Sequence, residues 1–99
     1  MPDHSVRVIA TFLAQPGKAA ALAAHLAQLI EPTRAEEGCL RYELWQSETD
    51  VQEFRFVEEW TSADALAAHL QTPHILSGRE GLSELLAGEL DIRTYRLVG

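Results

Sequence analysis

Ninety-nine residues, 46% of them hydrophobic and 23% charged, make one domain's worth of chain with enough apolar material for a core. Fifteen acidic against eight basic side chains leave a formal charge of -7, and the arginines and the single lysine are scattered, with no basic stripe. This composition excludes a disordered chain. It argues against nucleic acid and anionic membrane surfaces as partners, and no apolar run approaches the ~20 residues of a bilayer span.

The start, Met1-Pro2-Asp3-His4, lacks the basic-then-apolar layout of a secretory leader, so a cytoplasmic protein is expected. A lone cysteine, Cys39, has no partner for an internal disulfide and no second thiol for a zinc cluster. Its place at a strand start suits a small buried hydrophobe. One domain is expected over residues 1–99, with its core at about 6–97.

Residues 6–13, Val-Arg-Val-Ile-Ala-Thr-Phe-Leu, form a β-branched strand pattern that Gln15-Pro16-Gly17 ends. Leu22, Leu26, Leu29 and Ile30 then recur at helical spacing in an alanine-rich stretch, with Pro16 at the entry and Pro32 near the exit. A second strand is predicted over 39–46. It sets Leu40, Tyr42 and Leu44 on one face and Arg41, Glu43 and Trp45 on the other. The polar run 47–52 suits a turn.

The third strand, 54–60, aligns Phe54, Phe56, Glu58 and Trp60 on one side and Arg55, Val57 and Glu59 on the other. Thr61-x-x-Asp64 reads as a capping box opening a short helix. Thr72-Pro73 restarts helix, with proline in its favoured first position. Gly78 and Gly81 interrupt that last helix at about 1 kcal/mol each relative to alanine, which makes it the least regular element. A final strand is predicted over 89–98.

The order β-α-β-β-α-β predicts a ferredoxin-like α+β fold, with both helical segments on one face of a four-stranded antiparallel sheet. The other face keeps Ile9, Leu13, Trp45 and Val57, an apolar patch that a homodimer with sheets packed face to face would bury. A dimeric α/β barrel is the expected assembly.

Three side chains stand out as chemistry-bearing, each with a structural alternative beside it. Glu58 is carried by the alternation into apolar company, either as a salt-bridged structural carboxylate or as a pocket carboxylate with a raised pKa or a histidine partner. His69 sits on the apolar stripe of the short helix, as a satisfied core histidine or as a site residue. His74 is the second residue of the helix that Pro73 opens, where the positive end of the helix dipole lowers its pKa and keeps a neutral base near pH 7. Its alternative is an exposed or capping histidine.

His25 flanks the leucine stripe on the helix surface, His4 lies in the terminal segment, and the remaining carboxylates read as solvated faces. His69 and His74, five apart with a proline between them, do not make a helical zinc pair. Neither a phosphate loop nor a nucleophile elbow is present. No metal or cofactor is therefore expected.

Three stretches then carry a resemblance: Pro16-Gly17-Lys18; Glu37-Gly38-Cys39-Leu40-Arg41-Tyr42-Glu43; and Phe54-x-Phe56-x-Glu58-x-Trp60-x-Ser62-x-x-Ala65-Leu66-x-x-His69-Leu70-x-Thr72-Pro73-His74. Together they resemble the antibiotic biosynthesis monooxygenase family, and within it the small bacterial quinol monooxygenases, over nearly the whole chain. The resemblance implies the dimeric ferredoxin-like α+β barrel and oxygenation without flavin, haem or metal.

In such chemistry the substrate serves as its own cofactor, because an electron-rich quinol or anthrone anion can pass one electron to triplet oxygen. The protein removes a proton, holds the anion and keeps water out. The resemblance implies His74 as proton acceptor, His69 and Glu58 as orienting or relaying groups, and Tyr42, Phe56 and Trp60 as an aromatic wall for a planar ring. Partners are then a second copy of the chain, a small aromatic substrate and O2.

The haem-degrading branch is argued down, because the chain contains no asparagine and Arg79 stands where its histidine haem ligand is expected. Two rival functions remain: an isomerase of a small keto-sugar phosphate using the same base, and a non-catalytic dimeric domain that binds a small aromatic ligand.

Overall fold

The computed structural model describes residues 5–99; Met1 to His4, and the readings made on them, lie outside the described residues. Strands β1 (Val6–Leu13), β2 (Cys39–Gln46), β3 (Glu53–Trp60) and β4 (Asp91–Tyr95) form one antiparallel sheet in the order β2-β3-β1-β4. Helices α1 (Ala19–Ala27) and α2 (Ile30–Arg34) connect β1 to β2. Helices α3 (Ala63–His69) and α4 (Pro73–Gly78), then a 3-10 turn (Leu82–Glu84), connect β3 to β4. The architecture is the ferredoxin-like α+β fold. Among the described residues no helix is long and apolar enough to cross a membrane.

Register explains which side chains meet. Tyr42 lies opposite Glu58, Glu58 opposite Val8, and Val8 opposite Thr94, so one row crosses all four strands. The next row is Leu44, Phe56, Ala10 and Ile92. Period-two alternation puts both rows on the face beneath the helices, where Val8, Ala10, Phe12, Tyr42, Phe54, Phe56 and Trp60 are buried with Leu22 and Leu26 of α1. Edge-to-face contact of Phe12 with Phe56 and stacking of Tyr42 on Phe56, centroids 4.5 Å apart, fill the sheet side of this core.

Several local expectations change. Pro32 does not mark a helix exit. The chain turns at Gln28 and Leu29 and Pro32 sits in the first turn of α2, where a missing N–H leaves no hydrogen bond unmade. The cap of α3 is Ser62, not Thr61: its hydroxyl accepts from the Ala65 N–H at 3.1 Å. Leu40 is the extra residue of a β-bulge between Cys39 and Arg41, which turns it out to solvent, away from the face of Tyr42.

The last strand pairs over 91–95 rather than 89–98, with β1 as its only neighbour among the described residues, and all its residues are exposed. The irregularity at Gly78 and Gly81 takes the expected form. Helix α4 stops after six residues, and Gly81 adopts φ 74 before the 3-10 turn.

The sheet's outer face is less uniformly apolar than its pattern suggests. Ile9 and Val57 are half-buried and Leu13 and Trp45 exposed, but the ion pairs Arg7–Glu59, Arg41–Glu43 and Arg93–Asp91 lie among them.

Candidate functional site

Between the sheet and the helices lies a cavity of about 170 Å³. Ala10 from the centre of the sheet and Gly78 from the end of α4 are among its lining residues, and the missing side chain at Gly78 lets Leu29 pack against α4, since a Cβ there would stand 2.8 Å from the Leu29 side chain. Its wall is mainly apolar, and Tyr42, Glu58 and His69 are its polar groups on the inner side. Arg79, Ile92 and Thr94, all exposed, also line it, so it opens toward β4 and the segment after α4.

His69 is the last residue of α3 and only 3% exposed. Its Nδ1 lies 2.8 Å from Glu36 Oε2. His74, second in α4, places Nε2 2.6 Å from the same oxygen. A carboxylate oxygen only accepts, so both of these ring nitrogens carry the hydrogen. Thr72 steadies the turn between the two helices, its hydroxyl donating to the His69 carbonyl at 2.8 Å with its oxygen 3.2 Å from His74 Nε2. With Nδ1 committed to Glu36, Nε2 is the His69 nitrogen left with its lone pair free, and His69 is the member of the cluster that lines the cavity.

Burial lowers the pKa of His69, and its hydrogen bond with Glu36 offsets part of that shift, so the ring is neutral near pH 7. Trp60 packs against it, ring centroids 4.5 Å apart. The Trp60 indole N–H donates to Glu58 Oε1 at 3.0 Å, which is the i, i+2 pairing that a strand face allows. Glu58 is pushed up to about 7: burial dominates, the Trp60 hydrogen bond works against it, and the Glu36 charge adds to it. Burial, with Glu58 beside it, raises Tyr42 and keeps its hydroxyl protonated.

The structure thus gathers Glu58, His69, Tyr42 and Phe56 on one cavity. Trp60 lies behind them, fully buried, and His74 lies behind His69 across Glu36. Glu36 is not part of a solvated face. It is 13% exposed and holds both histidines. Nothing in the sequence pattern distinguished it from Glu37, since the connection before β2 has no period to read. His25 also does more than decorate a helix surface: its Nε2–H donates to the Gly78 carbonyl at 2.7 Å, tying α1 to the end of α4.

The fold and the site together define a ferredoxin-like domain with a histidine–carboxylate cluster at the wall of a small apolar cavity. Residues 5–81 match the family model for antibiotic biosynthesis monooxygenase. The chain belongs to that family.

The Mycobacterium tuberculosis protein Rv0793, which carries a provisional monooxygenase name, is 43% identical over 81 residues, covering 82% of this chain and 79% of its own. Its structure superposes with a TM-score of 0.90 at 36% identity, covering 96% of each chain. The structure of PA3566 from Pseudomonas aeruginosa gives 0.90 at 38% identity and covers 99% of each. A Synechocystis protein, sll1783, is 33% identical over 95 residues. These are 96% of this chain and span 65% of that protein's length.

Proposed function

We propose that this protein is a cofactor-independent monooxygenase of electron-rich phenolic rings, quinols foremost, with His69 as the base. The observation that carries this reading is the placement of His69: Nδ1–H is held on Glu36, which leaves Nε2 as the basic nitrogen, and the residue lines an apolar cavity that Glu58 also lines. A quinol proton passes to Nε2, and the imidazolium that forms stands against the Glu36 carboxylate, which stabilises it as a buried carboxylate does in a hydrolytic triad. His74 donates to the same carboxylate and orients it, so the role the resemblance gave His74 passes to its neighbour.

Glu58, near pH 7 partly protonated, is suited to donate a hydrogen bond to a ring oxygen. The bound anion surrenders an electron to O2 in a dry site. Overall a quinol and O2 yield a hydroxyquinone and water, one oxygen atom entering the ring and the other leaving with two hydrogens.

The cavity sets the scale of the substrate. About 170 Å³ is close to the ~150 Å³ apolar cavity that admits benzene, so a single ring fits and a fused anthrone requires opening on the β4 side. A keto-sugar phosphate would need more cationic lining than Arg79 alone provides. The outer sheet face, with Ile9, Val57, Trp45 and Tyr95, supports a homodimer through that face, and the acidic surface with one cysteine suits the cytoplasm.

Oxygen uptake by flavin-free, chelator-treated protein given single-ring quinols, corrected for autoxidation, tests the reading. Uptake above background that His69→Gln lowers by about 10²-fold supports it. No enhancement with any ring overturns it.

A further inference from the structure

The three groups that meet at Glu36 Oε2 are also a set of metal ligands. Glu36 comes from the α2–β2 connection, His69 from the end of α3 and His74 from the start of α4, and one ligand atom from each lies within 4.8 Å of the others. All three are shielded from solvent, at 13%, 3% and 22% exposure. Two imidazoles and a carboxylate are a donor set that borderline divalent ions such as Zn²⁺ prefer, with three protein ligands and a further position for water.

We propose that Glu36, His69 and His74 form a divalent transition-metal site whose occupancy switches His69 off as a base. In the metal-free cluster two N–H groups point at one carboxylate oxygen, at 2.8 and 2.6 Å. Zinc ligands about 2.0–2.2 Å from the ion stand roughly 3.3 Å apart in a tetrahedron. The carboxylate therefore has to draw back by about half an ångström, and the two histidine nitrogens, within 4.8 Å of each other, have to take up the same spacing.

The proton balance is specific. An imidazole that binds a metal through one nitrogen stays neutral by carrying its hydrogen on the other. Metal at His69 Nδ1 moves that hydrogen to Nε2, and metal at His74 Nε2 moves its hydrogen to Nδ1. No proton leaves the protein. What changes is the cavity: His69 then presents an N–H donor where it had presented a lone pair, so it cannot accept a proton from a bound quinol. This last consequence rests on the function proposed above; the metal site itself does not.

Calorimetric titration of ZnCl2 into the chelator-stripped full-length chain tests the site without any substrate. One equivalent is expected to bind, and Glu36→Gln and His74→Ala are each expected to weaken it by about tenfold or more. Both side chains sit toward the outside of the cluster, and circular dichroism of the variants verifies their folding. Titration with Co²⁺, followed by its visible ligand-field bands, supplies a second readout of ordered nitrogen and oxygen ligation.

Absence of one-equivalent binding, or binding that neither substitution weakens, overturns the site. Where the site binds, oxygen uptake at saturating Zn²⁺ decides the switch. Arrested turnover, restored by chelator, supports it; unchanged turnover overturns it. A protein that turns over no ring refutes the monooxygenase reading and leaves the binding result standing.

Discussion

Glu36 Oε2 stands 2.8 Å from His69 Nδ1 although 33 residues separate the two in the chain. That contact fixes which side of the imidazole carries the hydrogen, and it is the ground on which His69, a buried histidine at the cavity wall, is proposed as the base. It also ranks the two histidines, because His74 reaches the cavity only through Glu36.

The ranking has a kinetic signature. His69→Gln removes the group proposed to take the proton and should cost about 10²-fold or more in kcat with quinol bound. His74→Ala removes a hydrogen bond to the orienting carboxylate and should cost less, about tenfold at most, in the manner of an outer-shell partner. Steady-state kcat and KM of both variants on the same quinol check this, and a larger loss in His74→Ala would reverse the assignment.

Glu58 makes stability depend on pH in a predictable direction. Its carboxyl titrates near 4.5 when unfolded and at about 7 when folded, so the folded state holds the extra proton between those values. The stabilisation is fully present below about pH 4.5 and is lost as pH rises through 7, by about 3 kcal/mol in all. His69, lowered by burial, acts in the opposite sense on the acid side, and Glu36 and Tyr42 also face Glu58. The clean quantity is therefore the difference between wild type and Glu58→Gln. Thermal melts from pH 5 to 8 should show wild type losing stability relative to the variant as pH rises, and parallel curves would refute the shift.

Gly38 holds the end of the segment that delivers Glu36. It adopts φ 88, and a Cβ there would stand 2.6 Å from Ala65 Cβ and 2.8 Å from Thr61 Oγ1. Gly38→Ala therefore adds left-handed strain to a collision with α3, about 2–4 kcal/mol together. Urea unfolding should register that loss. Gly17→Ala, at φ 80 but with nothing within 4 Å, should cost only the strain, about 1–2 kcal/mol.

The outer sheet face predicts the assembly. Trp45, 59% exposed with its indole N–H donating to Glu43 at 3.2 Å, stands on that face with Val57 and Ile9 in the neighbouring strands. Sedimentation equilibrium should return twice 11.0 kDa for the wild type. Trp45→Glu should weaken the dimer at least tenfold while leaving the protomer's melting unchanged, since the side chain is outside its core. A wild type that sediments at 11.0 kDa at every concentration would exclude the dimer.

Much of the architecture could be read from local pattern, and the reason is periodicity. Val6–Leu13 and Phe54–Trp60 follow the period of two closely enough that the face shared by Phe54, Phe56 and Trp60 also takes Glu58, where it is buried. Pro73 announced the start of α4, and Gly78 and Gly81 announced its irregular end, because backbone limits on those residues act within a turn or two. Where a local signal had two adjacent solutions it slipped by one residue, as at Thr61 and Ser62. Leu40 defeated the alternation, since a bulge is set by the pairing of two strands and leaves no mark in one of them.

The sequence by itself determined the strand–helix order, the inward faces of the sheet and the presence of a carboxylate and two histidines near one apolar layer. Only the tertiary structure decided that Glu36 joins them, that His69 and not His74 lines the cavity, and that the space between the sheet and the helices measures about 170 Å³. Periodicity is a property of neighbours along the chain. A site is a property of neighbours in space, and the connection from α2 to β2 that brings Glu36 to α3 and α4 has no period to reveal where it ends.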